Sequence, residues 1–126
     1  MSKTVVKTDN APAAIGPYSQ GVVTNGLLFT SGQLPIDPAT GKIPQGTIAE
    51  KAAIVFKNLG AIAKEAGTSL DNAVKITVFL ADINDFAAVN EVYAQYFKEP
   101  FPARSAFQVA ALPLGAELEV EGIFQL

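Results

Sequence analysis

The sequence predicts an α+β fold with strands and helices in the order β-β-β-α-β-α-β-β. Three observations point to it. Two stretches, Ala52 to Ala66 and Phe86 to Phe97, carry apolar residues at helical spacing. The segments around them are short, rich in β-branched residues or alternating in polarity, and bounded by turn residues. The chain has 126 residues, 49% of them hydrophobic and 17% charged, with a mean hydropathy of +0.28. That is enough apolar material for one core, and residues 1–126 are read as a single domain.

Taken in order, Val5 and Val6 can join a short edge strand, and the turn-rich Asn10 to Pro17 follows. Gly21 to Thr24 and Leu27 to Ser31 flank Asn25-Gly26, the strongest short hairpin signal. Gly32 to Gly46 holds Pro35, Pro38, Gly41 and Pro44, a density that neither a helix nor an interior strand tolerates, so it reads as a surface loop. Thr47 with Glu50 three residues on makes a capping box, and the helix it opens runs through Val55, Phe56, Leu59, Ile62 and Ala63 to a stop at Gly67. Val74, Ile76, Val78 and Leu80 alternate with Lys75, Thr77 and Phe79 as a half-buried strand. Asp82, Asn84 and Asp85 offer caps for a second helix, whose core stripe is Phe86, Val89, Tyr93, Tyr96 and Phe97. Ser105 to Ala110 and Glu117 to Phe124 complete the strands. Two helices cover only one face of such a sheet, and Phe79 on the other face suggests contact with a second copy.

The residues that are missing narrow the chemistry. Zero Cys and zero His remove thiolate nucleophiles, disulfides, the commonest general base and the usual metal ligands. No GxGxxG or phosphate-loop lysine pattern occurs, so the expectation is no cofactor and no metal. Nine Lys plus Arg against twelve Asp plus Glu gives a net charge of −3, which argues against nucleic acid as a partner. A polar N-terminus and the shortness of every apolar run give the further expectation of a soluble, cytoplasmic protein with no membrane span.

Chemistry must therefore rest on carboxylates, phenols, hydroxyls, lysines or the one arginine. Arg104 sits in Phe101-Pro102-Ala103-Arg104-Ser105, where a proline-stiffened approach can aim a planar fork at a carboxylate or phosphate. An ordinary salt bridge is its other use. Glu117, Glu119 and Glu121 fall at i, i+2 and i+4 and should share one sheet face, either as a solvated edge or with one of them placed in a cleft as acid or base. Tyr18, among turn residues, and Ser31-Gly32, at a strand exit, suit a pocket wall. Asn90 interrupts the second apolar stripe.

At these residues the chain resembles the RidA/YjgF family of reactive-intermediate deaminases over essentially its whole length. The resemblance rests on Ala13-Ala14-Ile15-Gly16-Pro17-Tyr18-Ser19-Gln20-Gly21, Thr30-Ser31-Gly32-Gln33, Asp85-Phe86-Ala87-Ala88-Val89-Asn90, the Arg104 block and Glu117-Leu118-Glu119-Val120-Glu121. It implies a chorismate-mutase-like fold assembled as a homotrimer, with clefts between subunits that hold small 2-imino and 2-oxo carboxylic acids. It also implies hydrolysis of 2-iminobutanoate and 2-iminopropanoate to 2-oxo acids and ammonia. By motif, Arg104 would bind the carboxylate and Glu119 would orient the attacking water, with Tyr18, Ser31, Gly32 and Asn90 around the substrate.

Two positions depart from the family pattern. Ala106 stands where many relatives have a cysteine, so a thiol is dispensable and any contribution there comes from the backbone. Ala111 replaces an arginine, which leaves Arg104 solitary. A non-catalytic 2-oxo-acid-binding regulator is the alternative reading, needing Arg104 but not Glu119. An endoribonuclease or translation inhibitor, also described in the family, fits the acidic charge poorly.

Overall fold

The computed structural model describes residues 2–126. Its elements are β1 (Thr4–Val6), β2 (Gly21–Thr24), β3 (Leu27–Thr30), α1 (Ile48–Glu65), β4 (Ala73–Leu80), α2 (Phe86–Tyr96), β5 (Ala103–Gln108) and β6 (Leu118–Gln125). This is the predicted order, with the two last strands displaced by one or two residues from their expected bounds. The six strands form one sheet in the order β1-β2-β3-β6-β4-β5. Only β4 and β5 run parallel, because α2 supplies the crossover that a parallel pair needs.

Local chemistry explains each boundary. Asn25 and Gly26 take φ of 52° and 75°, so the β2–β3 hairpin turns through two left-handed residues, which is the geometry that Asn-Gly favours. The Thr47 hydroxyl accepts from the Glu50 amide while the Glu50 carboxylate accepts from the Thr47 amide, closing the capping box. That exchange holds the Glu50 pKa below its ordinary value. At the start of α2 only Asp82 caps, accepting from the Asn84 amide, whereas Asp85 is already helical and makes no side-chain cap.

The core lies between α1, α2 and one sheet face. Val55, Phe56, Leu59 and Ile62 of α1 and Val89, Val92 and Tyr93 of α2 meet Leu28, Ile76, Val78, Leu80, Leu118, Val120 and Phe124. Phe56 is the hub, with its ring 5.6 Å edge-on to Phe97 and 5.8 Å edge-on to Tyr93. Both helices therefore cover the same face. Two expectations change here. Val74 does not join the inward set, because a register shift between Ala73 and Lys75 turns it out to solvent. Gly32 to Gly46 is more than a surface loop. Gln33 pairs with Val120 through two backbone bonds, and the buried Asn58 amide donates to the carbonyls of Leu34 and Ile36.

The opposite face carries Phe29, Phe79, Phe107 and Ile123 beside Lys75, Thr77, Glu119 and Glu121. Phe79 and Phe107 pack edge to face at 5.3 Å, yet Phe107 stays 45% exposed and Phe29 39% exposed. No helix of the described residues is long and apolar enough to cross a membrane.

Candidate active site

Glu119 is on β6, paired with Phe79 of β4, so its side chain leaves the sheet on the face away from the helices. A bulge makes room for it. The register of β3 on β6 runs to Phe29 opposite Ile123, then resumes at Gln33 opposite Val120, so the β3 side holds one extra residue across Thr30 to Gly32. The Thr30 hydroxyl replaces a lost ladder bond by accepting from the Gly122 amide at 3.0 Å. Gly32 then lies directly under the Glu119 carboxyl. A Cβ at residue 32 would come within 2.7 Å of Glu119 Cδ and Oε2, a separation no side chain permits.

Around that carboxyl is a hollow of about 510 Å³ lined by Tyr18, Ser31, Gly32, Leu34, Leu114 and Glu119, among others. Its volume suits a small molecule. Burial, and secondarily the charge of Glu121, push the Glu119 pKa above the ordinary glutamate value of 4.5. The wall is held by two ties. Ser31 Oγ donates to the Ser19 carbonyl at 2.6 Å, so its hydroxyl fixes the loop that presents Tyr18. The buried Gln20 side chain accepts from the Thr8 amide and donates to the carbonyls of Thr8, Ala11 and Pro12, clamping the N-terminal segment behind the wall. Tyr18 itself is half exposed and open to a ligand.

Arg104 occupies a second, separate hollow of about 400 Å³ with Asn90, Tyr93, Ala94, Phe101 and Pro102. It pairs with the buried Ile76, which puts its side chain on the helix face at the β5 edge. Its guanidinium lies 4.6 Å from the Tyr93 ring centroid and 5.2 Å from that of Phe86, and Nη1 donates to Asn90 Oδ1 at 2.7 Å. Two ring faces and one amide thus hold the fork while leaving its remaining N–H groups free for an anion. The Tyr93 hydroxyl is buried without a partner, and burial raises its pKa, so it stays protonated.

The sequence-derived residues thus divide. Tyr18, Ser31, Gly32 and Glu119 come together; Arg104 and Asn90 come together elsewhere, and Ala106 lies near them, packed against the core beside Val78. Glu119 and Arg104 project from opposite faces of one sheet, so a single chain cannot bring both to one small substrate. The carboxylate triplet is also broken up. Glu117 precedes β6 and binds Lys51 of α1 at 2.8 Å, leaving Glu119 and Glu121 on the open face. Sequence reasoning did not assign Phe86 and Tyr93 to the arginine, nor Gln20 to the wall. The aromatic stripe on α2 was the available signal for the first.

The chain is thus an α+β sheet under two helices, with a lone arginine at the β5 edge on the helix face and a raised-pKa carboxyl on the other face. The chain belongs to the family described as endoribonuclease L-PSP, whose model it matches over residues 8–125. It is 52% identical over 121 residues to the human 2-iminobutanoate/2-iminopropanoate deaminase, covering 96% of this chain and 88% of that protein. Among solved structures, YyfA of the conserved Rid protein family from Yersinia pestis superposes with a TM-score of 0.96 at 48% identity, covering 99% of this chain and all of that one. Escherichia coli TdcF with bound serine gives a TM-score of 0.92 at 43% identity, with 98% of each chain covered.

Proposed function

We propose that the protein hydrolyses reactive 2-imino acids, such as 2-iminobutanoate and 2-iminopropanoate, to 2-oxo acids and ammonia, at sites completed between copies in a homotrimer. The observation that carries the reading is the Glu119 carboxyl, seated on Gly32 in a small hollow with its pKa raised. The names of curated relatives that align over nearly the full chain agree with it.

The reaction asks for little. Arg104, steadied by Asn90, Phe86 and Tyr93, binds the substrate carboxylate through its free N–H groups. Glu119 of a neighbouring copy and the Gly32 carbonyl hold a water against the imine carbon. The water oxygen bonds to that carbon, the C=N π electrons move to nitrogen, and Glu119 takes the proton the water releases. Glu119 returns that proton to nitrogen to give the carbinolamine; the hydroxyl proton then passes through Glu119 to the amine, the C–N bond breaks, and ammonia leaves with the bonding pair as the carbonyl forms. A carboxyl with a raised pKa suits both transfers, because it gives up its proton nearer to neutrality than an ordinary glutamate. Tyr18 closes the pocket, and no metal or cofactor takes part in the scheme. Strand cleavage suits this surface less, given the net charge of −3 and one arginine.

The test is competition with semicarbazide for 2-iminobutanoate generated by an amino-acid oxidase. Catalytic amounts of wild type should suppress trapping, Arg104→Ala should abolish both suppression and 2-oxobutanoate binding, and Glu119→Gln should bind but not turn over. Wild-type activity in Glu119→Gln would remove that residue from the mechanism. Binding without any wild-type turnover would instead make the protein a 2-oxo-acid sensor.

A further inference from the structure

Two turns of this chain each place two consecutive residues at left-handed φ and differ in the first of them. At Asn25-Gly26 the φ values are 52° and 75°; at Leu114-Gly115 they are 60° and 65°, closed by the Ala116 amide on the Pro113 carbonyl at 3.1 Å. Asn-Gly is what such a turn favours, and a left-handed leucine is strained by its Cβ. Burial could offset that strain, but Leu114 is 73% exposed. The chain therefore holds a large apolar side chain in a disfavoured conformation without gaining internal packing from it. Backbone strain of this sort gathers where a group outside the chain is to be met.

Its position says which group. Leu114 lines the Glu119 hollow together with Ile15, Leu34, Ile36 and Pro113. Ile15 is 88% exposed, the most exposed large apolar residue among the described residues. Glu119, Ser31 and Gly32, which carry polar atoms of the lining, are partly buried, while the aliphatic Ile15 and Leu114 stand exposed outside the strands. We propose that Leu114, with Ile15, is a specificity-determining contact that receives an apolar side chain of the 2-imino acid, so that the protein favours larger aliphatic substrates over short or acidic ones. This rests on the deaminase reading above.

The test compares kcat/KM for the imines derived from leucine, alanine and glutamate, in wild type, Leu114→Asn and Leu114→Lys. Wild type should favour the leucine-derived imine, and Leu114→Asn should lower the leucine-to-alanine ratio about tenfold, the order expected for losing an aliphatic contact in a pocket. Leu114→Lys should shift the preference toward the glutamate-derived imine. An unchanged ratio overturns the proposal. So does an equal loss on all substrates together with weaker self-association, which would place Leu114 against a second copy. If wild type turns over none of them, the deaminase reading fails. The same ratio is then read from calorimetric binding of 4-methyl-2-oxopentanoate against pyruvate: a shift in Leu114→Asn sustains the contact, and none overturns it.

Discussion

Glu119 and Gly32 form one unit, because the carboxyl occupies the space a side chain at residue 32 would need. In Gly32→Ala the backbone can stay in place, since the atom struck is the end of a flexible side chain, so the carboxyl moves instead. We expect little change in thermal stability and about a hundredfold loss of kcat, since small misplacements of a reacting group carry that cost. Retained kcat would show that the hollow tolerates a displaced carboxyl. The raised pKa of Glu119 has its own consequence for folding. A carboxyl whose folded pKa lies above its unfolded value binds its proton more tightly in the native state. Its contribution is complete below about pH 4.5 and is lost as pH rises through the folded value. Glu119→Gln should therefore melt higher than wild type at pH 7 and match it near pH 4. Equal melting temperatures at both pH values would mean that solvent satisfies the ionised carboxyl. Some of this was legible in the sequence: three glutamates at alternate positions narrowed the choice to one face. That Glu117 is taken by Lys51, sixty-six residues away, was not, because nothing local marks that partner.

Elements position these residues more than they contribute chemistry. The bulge between β3 and β6 aims Ser31 and Gly32, α2 supplies the rings and amide that hold Arg104, Ser31 Oγ fastens the loop bearing Tyr18, and the Gln20 side chain clamps residues 8 to 12 behind it. Gln20 is buried and satisfies one amide and three carbonyls of residues 8 to 12. Gln20→Ala strands those groups and should cost about 3 kcal/mol in urea unfolding, with faster hydrogen exchange at the Thr8 amide. Wild-type stability in that variant would mean water replaces the clamp. The helices, their stops and the Asn25-Gly26 hairpin were readable from spacing and turn chemistry, which act over a few residues. The bulge was not, since a one-residue slip depends on where β6 lies. The outward turn of Val74 escaped for the same reason: alternation continues through it, and only pairing with β6 reveals the break.

For the whole molecule, the placement of Arg104 and Glu119 on opposite faces is decisive, because a site using both must draw them from different copies. The exposed Phe29 and Phe107, with the partly buried Phe79 beside Phe107, on the uncovered face agree with such an assembly. Sedimentation should give three times the 13.2 kDa chain mass. The stricter check is complementation. Arg104→Ala and Glu119→Gln are each expected to be inactive, but co-refolded in equal amounts they should form closed rings in which about one quarter of the sites pair an intact arginine with an intact glutamate. Activity near that fraction supports the shared site; no recovery in mixed trimers would put both groups in one chain's service. Composition and local pattern sufficed for the α+β order, the helix boundaries and the inventory of one arginine and a few carboxylates, since these follow from periodicity and residue type. Which carboxylate is free, which rings hold the arginine and which face each group points from are consequences of strand order and register. Those are set by the packing of residues far apart in the chain, and they divide the candidate residues into two halves that only a second copy can join.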